Sequence, residues 1–297
     1  TNEIICGDYD YRGQSIIYGD TDSVYFSAYK PLKTDIDSGD VPWTTESVVQ
    51  LYDSVAEEVN KSFQKYMDQS FNCPSSYGKL IAAGREAVGS KGLFITKKRY
   101  AMKIYDLEGE PVDKIKAMGL DLKRSDTPAY IQNFLSDVLD KVLTGANEEA
   151  VMDFIADFRL EFKKMPGWEK GSPRRVNKLT EYHSREKRKG KVNMPGHVRA
   201  AINWNTLKKV YNDRYSMDII DGQKCIVCKL KDNPMGYTSI AYPTDELRIP
   251  EWFKELPFAD DEMEATLINK KLDNLIGVLD WDLGASEADN TFDKLFT

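Results

Sequence analysis

The feature that most constrains the fold is an alternating stretch, SIIYGDTDSVYFSA, at residues 15–28. Apolar and polar residues alternate on both sides of a Gly-Asp break, which predicts two antiparallel strands joined by a tight turn. The turn carries two carboxylates, Asp20 and Asp22. Aspartates in turns usually serve only to hydrogen-bond their own backbone. A functional interpretation therefore needs support from the rest of the chain.

Two rigidly held carboxylates also suit a hard divalent cation. Mg²⁺ prefers oxygen ligands and is commonly shared between protein carboxylates and substrate phosphates. Because Asp20 and Asp22 are separated by one residue, one can face a ligand while the other turns aside. The apolar flanks of the turn would hold it in place. The hairpin is therefore a candidate for half of a metal site.

Length and composition allow one large domain or two ordinary ones. The chain has 297 residues, of which 41% are hydrophobic, and 16 Tyr and 12 Phe supply bulky packing groups. It contains no apolar run of about 18 residues, so we expect no transmembrane helix and no association with a membrane. The first residues also lack the pattern of a secretory signal. Four unevenly spaced cysteines suit a reducing compartment.

Charge is distributed unevenly along the chain, whose net charge is −7. Residues 163–192 carry eleven Lys or Arg against three Glu, whereas the last fifty residues are strongly acidic. Such asymmetry indicates a surface for a polyanion on one part of the molecule. The alternative interpretation of residues 163–192 is a solvated, partly disordered basic loop.

Longer periodic segments predict three helices, at residues 45–69, 128–144 and about 147–164. Thr45 is the expected N-cap of the first helix, and Pro128 is the expected first residue of the second. A further helix is expected around VRAAINWNTLKKVYN.

Strands are predicted in two other regions. FITKKRYAMKIYDLEGEPVDKIKAMG has the pattern of a hairpin with LEGE at its turn, and residues 222–243 return to strands. The composition changes near residue 112, from mixed sheet and helix to mostly helix. The sequence therefore predicts an α+β fold with a domain boundary at that point.

Several short strings together resemble the family B DNA polymerases. YGDTDS, at residues 18–23, resembles motif C of that family, and KKRY, at residues 97–100, resembles the palm motif that follows it. REAVGSKG, MGLDLKRSDTP, DNPMG and SIAYP follow in the expected order and approximate spacing. The resemblance covers almost the whole chain and is closest to the replicative polymerases of T-even-like bacteriophages. It implies the C-terminal half of a palm domain with an antiparallel sheet (1–112), a mostly helical thumb (113–284) and a tail (285–297).

The resemblance also implies a DNA-directed DNA polymerase activity that uses two Mg²⁺ ions, primer–template DNA and dNTPs. Asp22 would be the main metal ligand, Asp20 a second ligand or a residue that positions the turn, and Glu86 an auxiliary carboxylate acting through water. Thr21 would lie close to the primer terminus. Further residues would contact the duplex: Lys91, Lys97, Lys98, Arg99, Tyr100, Lys116, Lys123, Arg124, Arg174 and Arg175.

Other family motifs are missing from the sequence. No string resembles motif A, DxxSLYP, or the fingers helix, KxxxNSxYG. We expect a split polymerase, in which an N-terminal partner fragment carries the exonuclease, motif A and fingers and shares the metal ions. A piece of a longer chain is the other explanation. The alternative function is a non-catalytic module that binds DNA and tethers it to a clamp. A phage-encoded protein of this kind would act in the cytoplasm of a bacterial host.

The C-terminal string TFDKLFT places Phe292, Leu295 and Phe296 at an otherwise polar end. In the family such an ending docks on the sliding clamp, whereas the alternative interpretation is a frayed terminus.

Three other groups are expected to be structural. Asp106 and Glu108 are predicted to lie in a solvated hairpin turn rather than in an exonuclease metal site. Cys225 and Cys228 have zinc-knuckle spacing, but no second pair follows, so we predict a buried or half-buried pair of thiols on a strand. We predict that His197 packs within the thumb or contacts a phosphate.

Overall fold

The computed structural model describes residues 15–190 and 192–286, which belong to two compact units divided between Gly119 and Leu120. Each unit combines helices with an antiparallel sheet, so the predicted α+β class is confirmed. The boundary predicted near residue 112 lies inside the last strand of the first unit, because that strand completes its sheet. The interpretation of the units as palm and thumb stays a prediction.

The first unit contains a hairpin, a three-stranded meander and a long helix. Its strands and helices are β1 (Ile16–Asp20), β2 (Ser23–Phe26), α1 (Lys33–Ser38), α2 (Thr45–Phe71), β3 (Ala87–Thr96), β4 (Arg99–Leu107) and β5 (Glu110–Met118). β1 pairs with β2, and β3, β4 and β5 form a separate antiparallel sheet. Both predicted hairpins are therefore confirmed. Glu108 and Gly109 have positive φ angles, as a two-residue turn between twisted strands requires.

The predicted first helix is confirmed as α2, but its N-cap is Thr44 and not Thr45. The Thr44 hydroxyl accepts a hydrogen bond from the Ser47 amide at 3.3 Å, and the Ser47 hydroxyl accepts one from the Thr44 amide at 2.9 Å. This reciprocal pair satisfies two amides that have no partner within the helix, and it requires residues three apart. The side chain of Asn60 then ties α2 to the backbone of Ala83, ahead of β3.

The second unit surrounds a three-stranded antiparallel sheet with helices. Its strands and helices are α3 (Ala129–Thr144), α4 (Glu148–Lys164), β6 (Ser172–Arg175), α5 (Leu179–Lys189), α6 (Gly196–Val210), β7 (Lys224–Lys229), β8 (Ser239–Pro243), α7 (Glu251–Lys254), α8 (Asp260–Glu264) and α9 (Lys270–Ile276). β7 lies between β6 and β8. A π-helical segment, Ala265–Asn269, joins α8 to α9.

The predicted helices of this unit are confirmed as α3, α4 and α6. Pro128 is the N-cap of α3 rather than its first helical residue, because its ψ angle of 147° is extended. The described part of residues 163–192 forms a short 3₁₀ turn (Gly167–Lys170), β6 and α5, so the alternative of a loop was wrong there, although most of α5 is exposed to solvent as that alternative expected. The sheet also makes this unit less helical than predicted.

The core of the second unit is built around Trp204 of α6, whose ring is fully buried against Trp252 and Phe253. Its indole N–H donates to the carbonyl of Met217 at 2.9 Å, so no polar atom of the ring is left unpaired. Cys225 and Cys228 are both fully buried on β7, which confirms the predicted pair of thiols. Burial raises the pKa of the Cys225 thiol to about 12, so it is not a ready metal ligand.

Two buried cations are paired within the second unit. Lys170 donates to Asp260 at 2.8 Å, and Arg159 donates to Glu264 at 2.8 Å and to Asn269 at 2.6 Å. A buried charge without such partners would cost several kcal/mol, about the whole margin of stability of many domains. These pairs therefore fix where α8 and the π-helical segment pack.

No helix in the described ranges is long and apolar enough to cross a lipid bilayer.

Gly119, at the end of the first unit, has a φ angle of +65°, and a Cβ atom there would collide with the carbonyl oxygen of Lys98. We predict that Gly119→Ala lowers the free energy of unfolding of this unit by about 3 kcal/mol, from backbone strain and the clash together. Gly109→Ala is the matched control, since its φ is +92° but the space beside it is open. It should cost only about 1 kcal/mol. Hydrogen exchange of the β4 amides in urea measures both losses, and equal losses would contradict the clash.

Candidate active site

The acidic turn joins β1 to β2 at residues 20–23. Asp20 and Ser23 are the last paired residues, so Thr21 and Asp22 form the tip. Thr21 has a φ of +53°, and the Asp22 amide donates to the Asp20 carbonyl at 2.7 Å. The Ser23 hydroxyl donates to the same carbonyl at 3.2 Å. A left-handed threonine is uncommon and costs of order 1 kcal/mol or more, so this tip is held by its surroundings.

The Asp20 carboxylate is surrounded by donors. The Tyr18 hydroxyl donates to it at 3.2 Å, the Thr21 hydroxyl donates at 3.3 Å, and the Lys98 ammonium lies 3.8 Å away. Its side chain is 23% exposed. Asp20 is therefore engaged with the protein itself.

The Asp22 carboxylate is free by comparison. It is exposed, it lines a cleft of about 630 Å³, and it has no hydrogen bond or ion pair with any residue that the structure describes. The lone pairs of Asp22 are available to a ligand in the cleft. The hairpin thus separates its two carboxylates into one that is held and one that is open.

Four aromatic side chains attach the hairpin to the second sheet. Tyr18 and Tyr25 pack against Phe94 and Tyr100, with ring centroids 5.0 to 6.1 Å apart. The hydroxyls of Tyr25 and Tyr100 share a hydrogen bond of 2.7 Å, and burial followed by this bond raises the pKa of Tyr25 far above its usual range. Rings in such contact add about 0.5–1.5 kcal/mol per pair beyond the burial of their area.

A basic turn faces the acidic one. Lys97 and Lys98 connect β3 to β4, and Lys98 takes a φ of +62°. Its amide donates to the Tyr18 hydroxyl at 2.9 Å, while its ammonium group remains 69% exposed. Lys97 is exposed and Arg99 is half-buried. Together with the buried ring of Tyr100, the KKRY string therefore lies directly against the acidic hairpin.

Glu86, Lys91 and Lys116 line the same cleft as Asp22. The Lys116 ammonium donates to the Glu86 carboxylate at 2.5 Å, and the Glu86 side chain is 59% exposed. Glu86 directly precedes β3 and Lys116 lies on β5, so their contact could not be read from either segment alone. The structure thus gathers four of the predicted residues around one cleft.

Arg85, which precedes Glu86, is anchored by hydrogen bonds to two carboxylates, a network that could not be predicted from the sequence. The Arg85 guanidinium donates to Asp53 of α2 at 2.6 Å and also to Asp106 of β4. The Asp106 carboxylate also accepts a hydrogen bond from the Gly109 amide at 3.1 Å. Asp106 is buried. The prediction that Asp106 is solvated was therefore wrong, because it neutralises a buried arginine, whereas Glu108 at the turn is exposed as predicted.

The predicted DNA-binding residues of the second unit lie on its surface. Lys123, Arg124, Arg174 and Arg175 are all exposed. Arg124 and Arg174 both donate to Asp126 at 3.0 Å, and the hydrogen bond from Arg124 is the main cause of the lowered pKa of that carboxyl.

His197 and Arg174 line a cavity of about 380 Å³ in the second unit. Burial, and then the nearby Arg174, lower the pKa of His197, so the imidazole is neutral at pH 7. Phe292, Leu295 and Phe296 lie outside the described residues.

A complete metal site is not formed within the described ranges, where no three His, Cys, Asp or Glu side chains converge. The open carboxylate of Asp22 fits one ligand of a hard cation. It can act in a metal site only together with further oxygen ligands.

Comparison with known proteins identifies the class to which this fold and acidic turn belong. The model of DNA polymerase family B matches residues 6–195. The chain belongs to family B of the DNA polymerases, which confirms the predicted resemblance.

Individual relatives agree with this family. The chain is 30% identical over 247 residues to the DNA-directed DNA polymerase of Escherichia phage RB69, covering 77% of this chain and 26% of the relative. It is 26% identical over 256 residues to the DNA-directed DNA polymerase of Enterobacteria phage T4, covering 81% and 27%. The DNA polymerase alpha catalytic subunit of Arabidopsis thaliana is 27% identical over 150 residues, covering 50% and 8%. The chain spans about a quarter of the length of the phage relatives.

The Tyr18 hydroxyl is predicted to protect the amide of Lys98. We expect Tyr18→Phe to speed hydrogen exchange at that amide about fivefold to tenfold, because a hydrogen bond of about 1 kcal/mol is lost while the ring is kept. Tyr25→Phe removes the bond to Tyr100 instead and should leave the Lys98 amide unchanged. Site-resolved exchange distinguishes the two variants, and an unchanged rate in Tyr18→Phe would refute the link.

Proposed function

We propose that this chain supplies the motif C part of the nucleotidyl-transfer site of a DNA-directed DNA polymerase. The observation that carries the proposal is the open carboxylate of Asp22, presented to a cleft by a hairpin that also contacts the KKRY turn. Membership of family B and the phage relatives support the reaction class. As in those phages, the site of action would be the cytoplasm of a bacterial host.

Asp22 would be the metal ligand of this chain. When bound, two Mg²⁺ ions would stabilise the attacking 3′-hydroxyl and the leaving pyrophosphate of the dNTP. The exposed anionic oxygens of Asp22 suit this role because no cation of the described residues neutralises them. Glu86 lines the same cleft and would act through water, since its carboxylate is already shared with Lys116.

Asp20 would position the turn rather than provide the principal ligand. Its oxygens already accept from Tyr18 and Thr21, and Lys98 is nearby. A ligand role for Asp20 would require these donors to be exchanged for metal. The same contacts would hold Thr21 at the tip, where the primer terminus is expected.

The basic turn would grip the duplex just behind the site. Contacts there must not depend on sequence, so they go to phosphates and to minor-groove acceptors that all base pairs share. The exposed ammonium group of Lys98 suits this task, with Lys97 and Arg99 in support. Tyr100 is buried and its hydroxyl is bonded to Tyr25, so a minor-groove contact by Tyr100 would require that hydrogen bond to be exchanged. Lys91 and Lys116 at the cleft would add attraction for phosphate oxygens.

The second unit would hold the duplex backbone through Lys123, Arg124, Arg174 and Arg175. Asp126 fixes the guanidinium groups of Arg124 and Arg174 in one place, which lowers the entropy that phosphate binding must overcome. A guanidinium group has five donors, so contact with one carboxylate leaves others for phosphate.

An N-terminal polymerase fragment would complete the site. A two-metal site requires carboxylates from more than one strand. Of the two carboxylates that line the cleft in the described residues, Glu86 is paired with Lys116, and Asp22 is the one without a partner. The missing ligands, the fingers and the exonuclease would come from that fragment, as part of a split polymerase.

Asp22→Asn tests the catalytic role. With the chain combined with the N-terminal fragment, primer extension should fall about a thousandfold or more, because a metal ligand worth several kcal/mol is weakened. Binding to primer–template DNA, measured by fluorescence anisotropy, should stay within about twofold of the unchanged chain, since Asp22 repels phosphate rather than binding it.

Asp68→Asn is the matched control, because Asp68 is an exposed carboxylate at the end of α2. It should extend primers normally. Full extension by Asp22→Asn would overturn the proposal. Loss of extension by both variants would point to a general charge effect. DNA binding without extension by the unchanged assembly would favour the non-catalytic tether.

The tail is proposed to dock on the sliding clamp through Phe292, Leu295 and Phe296. A few apolar anchors suffice for such docking, because tethering raises the effective concentration of the enzyme on DNA. Deleting residues 291–297 should leave short, clamp-independent synthesis intact and remove the increase in product length that the clamp causes. Gel analysis of products with and without clamp measures this, and an undiminished clamp effect would exclude the tail as the tether.

A further inference from the structure

A pocket of about 560 Å³ in the second unit is not used by the proposed polymerase site. It lies between the segment that follows α6 and the segment that precedes α7. Asp213, Tyr215 and Met217 come from the first segment, and Glu246 and Leu247 come from the second, with Trp252 of α7 at one side.

The Asp213 carboxylate is held at this pocket entirely by uncharged donors. It accepts hydrogen bonds from the amides of Tyr215 at 3.0 Å and Ser216 at 3.1 Å, from the Ser216 hydroxyl at 2.6 Å and from the Trp252 indole at 3.0 Å. Burial by itself would raise the pKa of Asp213, but these hydrogen bonds outweigh it and lower the pKa to about 2. The group is therefore fully charged at neutral pH and contributes a fixed negative charge.

The negative charge of the pocket is not balanced. Four carboxylates and one guanidinium line it, from Asp213, Asp245, Glu246, Glu251 and Arg248. Glu246 accepts a hydrogen bond from the Met217 amide at 2.8 Å, and Glu251 pairs with Lys254 at 2.9 Å. Across the described ranges, no cation lies within ion-pair distance of Asp213, Asp245 or Glu246. A cation entering the pocket would gain attraction that the protein itself does not supply.

Apolar side chains stand unusually exposed at the same place. Tyr215 is 99% exposed, Leu247 is fully exposed, and Met217 is 39% exposed. Trp252 is fixed by stacking on Tyr211, with centroids 5.1 Å apart and planes 9° apart. Exposed apolar groups beside a pocket indicate a surface that is covered in a complex.

We propose that this pocket binds an arginine side chain from an exposed basic segment of a partner protein. The pocket joins fixed carboxylates to aromatic and apolar walls, which matches the two parts of arginine. A guanidinium group binds carboxylates through paired hydrogen bonds and stacks on aromatic rings, and its aliphatic stem packs on apolar surface. Lysine has a more strongly hydrated point charge and matches the walls less well.

The negative charge of the pocket also argues against nucleic acid, the other class of ligand expected for this chain. A nucleic-acid backbone would meet four carboxylates here, and each phosphate would be repelled. The pocket is therefore a protein-docking site, separate from the proposed DNA contacts, and the proposal does not depend on polymerase activity.

The test uses the full chain and a short Gly-Ser peptide that carries two arginines. Isothermal titration calorimetry at low ionic strength should detect binding of this peptide. A matched lysine peptide should bind about tenfold more weakly. A citrulline peptide, which keeps the shape without the charge, should give no measurable heat.

Variants locate the binding. Asp245→Asn should weaken the arginine peptide about tenfold, since Asp245 lines the pocket without a hydrogen bond or ion pair to its carboxylate from the described residues, and its charge-assisted hydrogen bond to the guanidinium is lost. Tyr215→Ala should weaken it about threefold to fivefold. The Tyr215 variant cannot fail by misfolding through lost packing, because that side chain is 99% exposed. Asp157→Asn and Leu160→Ala on α4 are matched exposed controls and should leave binding unchanged.

Three results would overturn the proposal. The first is no heat with the arginine peptide, and the second is equal binding of the lysine peptide. The third is equal weakening by the pocket variants and the α4 controls, which would mean a general attraction to an acidic protein. Since no nucleotide incorporation is measured, failure here is distinguishable from failure of the polymerase proposal.

Discussion

The hydroxyl of Tyr18 joins the two turns on which the candidate active site depends. A two-stranded hairpin is marginally stable by itself in water, and β1 pairs only with β2 within the described residues. The Tyr18 hydroxyl accepts a hydrogen bond from the Lys98 amide and donates one to the Asp20 carboxylate. These two bonds fix the basic and acidic turns relative to each other. The second sheet therefore supplies the rigidity that the hairpin lacks.

The different surroundings of Asp20 and Asp22 follow from the backbone conformation of Thr21, the residue between them. Asp20 closes β1 and shares a strand face with Tyr18, two residues earlier, so its carboxylate meets the Tyr18 hydroxyl. The left-handed conformation of Thr21 then reverses the chain, and Asp22 emerges toward the cleft. The hydrogen-bond donors and the ammonium group beside Asp20 partly offset its negative charge, whereas the charge of Asp22 is not offset by any described residue. A divalent ion would therefore approach Asp22 first.

Features with a local cause could be predicted from the sequence, and features with a distant cause could not. The hairpin at residues 15–28 and the helix α2 follow from periodicities of 2 and 3.6 within a single segment. The partners of Asp106 could not be found in this way. Arg85 is a distant residue that the folded sheet brings near, so the turn string DLEGE gave no sign of a buried ion pair. The role of Tyr18 lies between these cases, because its shared face with Asp20 was visible but its bond to Lys98 was not.

Two aspartates of the second unit show why a lowered pKa does not by itself define a site. Guanidinium donors, first Arg124, lower the pKa of Asp126, so the carboxylate is neutralised and two cations are held ready for an anion. Around Asp213 the donors are uncharged, and they outweigh the effect of burial while leaving the negative charge in place. The first arrangement favours phosphate and the second favours a cation. The donors, rather than the direction of the pKa shift, therefore decide which sign of charge each surface would attract.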